Sequence, residues 1–353
     1  MRHATLLTLL ALGCHSRPAP GPPPPAAPSV RVMPGPWEGG AAIAMVATGP
    51  RSLEGAWNGP VILMVSWARD GVLETSSSFD NGRGWSKPFT VHSPVDLGDG
   101  GQIRPMMALG RDGPVIAFAA DGVPMMATRG AEGWSAIPVA PDAQGALVAA
   151  GQADGEAVIA WLDTRRGAAD VWARVGDVVG PVFVDDDDGV CACCRPAVGE
   201  VDGLPAVAFR DAEGPLREAR LAVFDGAWQD RGRVTTGGWS PGGCPTDGPV
   251  FDGPDVLISD ARDGTRRLYR GDAPVPTTEG WGATQPRVAG GSLVRIETSP
   301  ERSRVVIDDL PLIGSETTLE LGDPIEVPGA VLVPWDSDGS GYVAVVSAPE
   351  GVP

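Results

Sequence analysis

Short apolar runs ending in an aromatic or large aliphatic residue recur along this chain as VILMVSWARD, PVIAFAADG, AVIAWLDTR, PAVAFRDAEG and PDVLISDARDG. Their equivalent positions are Trp67, Phe118, Trp161, Phe209 and Ile258, separated by 51, 43, 48 and 49 residues. Weaker copies follow at SLVRIETS (Ile296) and GYVAVVSA (Val345). Most copies are preceded by another apolar run, such as RPMMALG, GALVAAG, RPAVGEV or GAVLVPW, and several are followed by a third and fourth. A four-stranded unit of this length, repeated around an axis, predicts an all-β chain folded as a β-propeller. The repeat count gives seven blades, with six as the alternative, and the last is completed by an N-terminal strand near Ser29 to Met33. Composition agrees: 49 Gly and 36 Pro stand among 42% hydrophobic and 20% charged residues. That is the make-up of many short strands joined by turns, and no long 3.6-residue periodicity argues for helices.

The N-terminus reads as an address. Arg2 supplies a basic start and Ala4 to Leu12 form an apolar run too short to span a bilayer, as in an export signal. Ala11-Leu12-Gly13-Cys14 resembles the lipobox of a bacterial lipoprotein, loosely at Ala11 and Leu12 and well at Gly13-Cys14. Residues 1–13 are then the signal peptide and Cys14 the lipidated residue; an ordinary secretory peptide cut elsewhere is the alternative. Residues 14–30 form a Pro/Ala-rich stalk, extended at about 3.1 Å per residue, and 31–353 a single propeller domain. The lipid gives the membrane as a partner, and the cell envelope, at the outer membrane or a periplasmic face, as the location. A formal net charge of −18 disfavours nucleic acid and anionic membrane surfaces. A monomer is expected.

SFDNGRGW, Ser78 to Trp85, resembles the Asp-box (BNR) turn S-x-D-x-G-x-T-W of sialidase-like propellers, with Gly84 in place of Thr. Degenerate copies end in Trp134 and Trp228. The motif, Ser78 included, is a folding device: Asp80 accepts backbone N–H bonds across the hairpin, Gly82 allows a positive φ, and Trp85 packs between blades. The order WLDTR, CACC, FRDAEGPLREA, GGCPTDGP and QPRVAGG also resembles a group of bacterial envelope proteins called exo-α-sialidase-like, marked by C-x-C-C and G-C-P-x-x-G-P. The resemblance covers most of the chain after the stalk.

In a blade of strands A to D, the D-to-A and B-to-C connections share one face and the C-to-D turns lie on the other. CACC and GGCPTDGP precede the A strands of consecutive units, so Cys191, Cys193, Cys194 and Cys244 are expected to meet on the face where propellers bind ligands. Asp163, Arg165, Arg166, Arg210, Asp211, Asp260, Arg262 and Asp263 are expected in B-to-C loops of that face. Arg104 and Arg287 enter from D-to-A connections.

Three chemistries remain open for the cysteines. An exported protein oxidises its thiols, but two bridges among these four would close one loop inside CACC, a strained and weakly stabilising arrangement. Sulfur from two loops suits a soft ion, Cu(I) or Zn(II). Redox thiol chemistry is the third. Met106, Met107, Met125 and Met126 offer thioethers but read as core filler, and His92, on a D strand, reads as structural. The cluster DDDDG (Asp185 to Gly189) reads as a solvated loop, and DSDGSG (Asp336 to Gly341) as a hairpin turn without the Glu that a calcium loop needs.

The family resemblance implies a second reading, an exo-α-sialidase-type glycoside hydrolase acting on sialylated glycans. Arg104, Arg210, Arg262 and Arg287 are then candidates for a clamp on the substrate carboxylate, since guanidinium binds carboxylate bidentately. Tyr269 and Tyr342 are the only tyrosines available as nucleophile. The plainer reading of each arginine is an ion pair with a nearby Asp.

Overall fold

A computed structural model describes residues 28–38, 42–48, 61–97, 103–183, 189–241, 247–315, 319–337 and 340–347. The signal peptide, Cys14, most of the stalk, Asp185 to Asp188 and Cys244 lie outside them. The described residues contain strands and no helix, grouped into seven antiparallel sheets. Blade 2 shows the plan: Met106–Gly110, Gly113–Ala120, Val123–Gly130 and Gly133–Pro138 pair in sequence order from axis to rim. This is a seven-bladed β-propeller, and the six-bladed alternative is excluded.

The ring closes with its own N-terminus. Ser29–Glu38 is the outermost strand of the last blade and pairs with Ser340–Ser347, from Ser29↔Ser347 to Pro34↔Tyr342. One register differs from the sequence expectation. GAVLVPW belongs to strand B of this blade (Ala330–Ser337), so Trp335, not Val345, is the seventh equivalent of Trp67. The A strand is split into Leu319–Leu321 and Ile325–Val327, with Gly322 to Pro324 between them. Each piece is too short to show as a periodic apolar run, which hid the true first strand.

The repeated large residue is the wedge between blades. Trp67, Phe118, Trp161, Phe209, Ile258, Ile296 and Trp335 are all at most 2% exposed, in clusters that join neighbouring sheets. Trp85, Trp134 and Trp228, at the ends of the C-to-D turns, each pack against the core shared with the preceding blade. In the first of these turns the Ser78 hydroxyl donates to Asp80 Oδ1 (2.8 Å), Gly84 N–H donates to the same oxygen (2.8 Å), and Gly82 N–H donates to Ser78 Oγ (2.8 Å). Gly82 has φ +78. The Gly84 N–H and the Ser78 hydroxyl hold Asp80 below its ordinary carboxylate range. The remaining candidates have local duties: His92 lies against Phe118 (5.2 Å), Met106 and Met107 are core, and Ser337↔Ser340 pair as a hairpin at DSDGSG.

Candidate functional site

The CACC segment crosses from blade 3 to blade 4 under backbone control. Gly189 has φ +70, and a Cβ there would stand 2.9 Å from the Ala169 carbonyl. Val190 N–H then donates to that carbonyl (3.0 Å) and Cys191 N–H to the carbonyl of Arg210 (2.9 Å). Cys194 N–H returns to the Cys191 carbonyl (3.2 Å), closing one tight turn. The turn places Cys191 and Cys194 Sγ 3.4 Å apart and Cys193 Sγ 3.4 Å from Cys191. All three sulfurs lie within 4.8 Å of one another, a group placed to hold a metal ion.

Their states differ. Cys191 and Cys194 are free and buried, whereas Cys193 is disulfide-bonded and half-buried. Neither neighbour is therefore its partner, and no bridge closes within CACC. The Cys194 thiol, followed by the Cys193 backbone N–H and the charges of Arg217 and Arg210, holds Cys191 down at about 6 against the effect of burial. Cys194, which shares its proton with Cys191 and is the more deeply buried, is pushed well above the ordinary thiol range. One sulfur is a ready nucleophile and ligand while its neighbour keeps a proton.

Arg210 is the floor of this site. It is 1% exposed and all three of its nitrogens donate to carbonyls: Nε to Asp247 (2.9 Å), Nη1 to Arg217 (3.0 Å) and Nη2 to Ser259 (2.5 Å). Trp239 lies 5.1 Å from its guanidinium. Carbonyls satisfy its donors without cancelling its charge, which remains available to a thiolate.

The other arginines separate. Arg165 pairs with Asp163, two residues before it, through Nε (2.8 Å) and Nη2 (2.5 Å), and Trp161 Nε1 donates to the same carboxylate (2.8 Å). Arg262 repeats the pairing with Asp260 and reaches Asp272 (2.9 Å). Asp211 receives Arg220 and Arg233 (3.1 Å each). Arg166 stands 3.7 Å from Asp170, and Asp263 faces Arg267 (3.4 Å). Asp163, Arg165 and Arg166 thus lie in the B strand Glu156–Arg166 rather than in the loop expected of them, and Arg210 and Asp260 end the B strands Leu204–Arg210 and Asp255–Asp260. These pairs join residues of one blade. Tyr269 lies buried under Arg262 (4.3 Å) and Tyr342 is stacked on Trp335 (5.5 Å).

Arg104 and Arg287 do come together, at the D-to-A end of the axis. Arg104 Nη2 donates to Asp323 Oδ1 (2.8 Å), and Arg287 Nε lies 3.1 Å from the same oxygen. Arg195, the residue after Cys194, is buried with them. Burial, then the charges of Arg104 and Arg287, pushes Arg195 well below the ordinary guanidinium range. Burial opposes ionisation of Asp323, but Arg104, Arg287 and Arg195 hold it below the usual carboxylate range. Gly248 lies where a Cβ would run into the Arg195 carbonyl, so Asp247 and Gly248, the described end of GGCPTDGP, pack against CACCRP. Arg195, Asp247 and Asp323 were missed as site residues in the sequence. The sign was there for Arg195: Arg104-Pro105 and Arg195-Pro196 stand at the same step before their A strands.

No protein-family model matches this chain, and no curated protein matches it. Solved structures of similar shape include the β-propeller domain of the Trilobed protease from Pyrococcus furiosus, at 10% identity over 88% of this chain and 94% of that one (TM-score 0.48). TolB from Acinetobacter baumannii is similar at 9% identity over 87% and 80% (TM-score 0.43). The fucose-specific lectin from Aleuria aurantia is similar at 12% identity over 90% and 99% (TM-score 0.39). These are likenesses of fold alone. Membership of the sialidase-like group that the Asp box and cysteine motifs resemble is not shown.

Proposed function

We propose that this chain is a lipid-anchored, extracytoplasmic β-propeller that binds a soft metal ion at the CACC turn, Cu(I) in preference to Zn(II). The observation that carries the reading is the approach of three sulfurs to within 4.8 Å, two of them free thiols at Cys-x-x-Cys spacing. Thiolate sulfur selects Cu(I) and Zn(II) over calcium and magnesium. A structural Zn(II) site needs four ligands, and with Cys193 bridged the turn supplies two thiols, a number that suits Cu(I). Cys191 enters as thiolate, Cys194 gives up its proton on binding, and Arg210 and Arg217 offset the negative charge that collects. The anchor rests on the apolar run before Cys14 and on Cys14 itself. The glycoside hydrolase reading is not adopted, because Arg210 and Arg262 are bound elsewhere and both tyrosines lie in packed positions.

The test is to purify the full-length chain anaerobically in detergent, then measure bound metals and free thiols together. Copper bound through sulfur, released by a Cu(I) chelator and unaffected by mild reductant, is the expected result. A metal-free chain that refuses Cu(I) while Cys191 and Cys194 are both free would remove the proposal.

A further inference from the structure

Cys193 is bridged, yet its sulfur stands 3.4 Å from the free Cys191 Sγ and 4.0 Å from the free Cys194 Sγ. Cys191 Sγ is in turn 3.4 Å from Cys194 Sγ. Cys191 therefore touches a bridged sulfur on one side and a reduced one on the other. The cysteine at the far end of the Cys193 bridge lies outside the described residues, where the sequence has Cys14 and Cys244.

A disulfide exchanges when a thiolate attacks one of its sulfurs, and access governs the rate. Here one turn supplies the access. Val190 N–H is fixed on the Ala169 carbonyl, Cys191 N–H on that of Arg210 and Cys194 N–H on that of Cys191, so the backbone keeps the three sulfurs together. Cys191 and Cys194 are 5% and 1% exposed, which shields them from outside thiols but not from Cys193. An encounter that separate molecules reach by diffusion is built into the chain, and such intramolecular contact replaces a high reagent concentration.

We propose that the Cys193 bridge migrates into the turn and that this migration switches the metal pair off. In the first step Cys191 Sγ loses its proton to water and attacks Cys193 Sγ. A Cys191–Cys193 bond forms, and the old bridge breaks with its electron pair leaving on the far cysteine, which takes up a proton. In the second step Cys194 Sγ loses its proton and attacks Cys191 Sγ. A Cys191–Cys194 bond forms, the Cys191–Cys193 bond breaks, and Cys193 departs as a thiolate and is protonated. Two thiols and one disulfide enter and two thiols and one disulfide leave, so no outside oxidant or reductant is consumed. The product has no thiolate at Cys191 or Cys194 for Cu(I), and bound Cu(I) occupies the sulfur that starts the exchange. A bridge across so short a loop constrains the chain little, and strained bridges are the labile ones, so the migrated form is the minor one and reverses. Its regulatory meaning rests on the metal reading of the turn, whereas the exchange itself needs no metal.

The full-length chain in detergent, freed of metal and kept anaerobic without reductant, is incubated at neutral pH, quenched in acid, unfolded and alkylated for peptide mass spectrometry. The resting form yields the CACC peptide linked to a second peptide, with both Cys191 and Cys194 labelled. The migrated form yields it unlinked, with an internal bridge and its label on Cys193. About 1% of chains or more are expected in the migrated form, within the usual range of minor states, with an equal gain of thiol on the far cysteine. Cys191→Ser, which removes the sulfur through which both steps pass, is expected to lower that share at least about 10-fold, and bound Cu(I) is expected to do the same in the wild type. A wild type below that share, a Cys191→Ser chain that keeps it, or a copper-loaded chain that keeps it would overturn the proposal. A chain that shows the migrated form and refuses Cu(I) strikes the metal reading and with it the switch, leaving the exchange; a chain that binds Cu(I) and never migrates strikes the exchange alone.

Discussion

Cys191 and Cys194 hold their sulfurs 3.4 Å apart across a turn closed by the Cys194 N–H on the Cys191 carbonyl. The pair is asymmetric, because the interaction between the two sulfurs lowers Cys191 and raises Cys194, Cys194 lies deeper, and Arg217 acts on Cys191 besides the Arg210 charge that both sulfurs feel. Asymmetry of this kind decides which sulfur reacts and at what pH.

Alkylation of Cys191 should have its midpoint near pH 6, where its thiolate forms. The folded value lies below the ordinary 9.0, so reactivity is present between about pH 6 and 9, a window in which an unperturbed thiol is still protonated. Cys194→Ala removes the neighbouring thiol and should move the midpoint upward. Iodoacetamide labelling followed by peptide mass spectrometry reads both; an unshifted midpoint in the variant would show that Cys194 does not hold Cys191 down.

Arg210→Met should destabilise the fold by at least about 3 kcal/mol, because three carbonyls lose their donor and each unsatisfied buried acceptor costs about 1–3 kcal/mol. The same variant should raise the Cys191 midpoint, since the charge of Arg210 favours the thiolate. Urea unfolding checks the first and labelling the second. Full stability in the variant would contradict the role given to those three bonds.

Asp80→Asn should lower the melting temperature without changing metal uptake, because the Asp80 turn lies on the face opposite the thiols. The folded carboxyl is depressed below its ordinary 3.8, so its contribution is present above that pH and fades as pH falls through the lower folded value. The gap between wild type and variant should therefore narrow in acid. A gap that stayed constant down to pH 2 would mean that the ionised carboxylate is not what the turn uses.

Deleting residues 1–38 removes the outermost strand of the last blade and exposes the edge from Tyr342 to Ser347. The shortened chain should melt earlier and associate through that edge. Light scattering during a thermal ramp distinguishes this from a chain indifferent to the loss.

The blade order was legible because Trp67, Phe118, Trp161 and Phe209 mark strand B with a side chain too large to sit anywhere but between sheets. Blade 7 was misread because its A strand is split at Gly322 to Pro324 and carries no long apolar run. Arg104 was legible as a residue of the D-to-A connection before Met106–Gly110, whereas Arg287, expected in such a connection, lies inside its A strand, Gly282–Ala289, and Arg195 was overshadowed by the cysteines beside it. That Arg210 serves backbone carbonyls could not be read at all, since its acceptors belong to residues 7, 37 and 49 positions away. The division of the three thiols into one bridged and two free also depends on where the sulfurs point, which spacing does not reveal.

Binding of a soft metal ion by the free pair Cys191 and Cys194 can be measured by competition for Cu(I) between the full-length chain and a chromophoric chelator, run anaerobically on the wild type and on Cys191→Ser with Cys194→Ser. One copper per chain withdrawn from the chelator by the wild type, and none by the double variant at equal folded content, is the expected result. Equal withdrawal by both, or none by either, would contradict it.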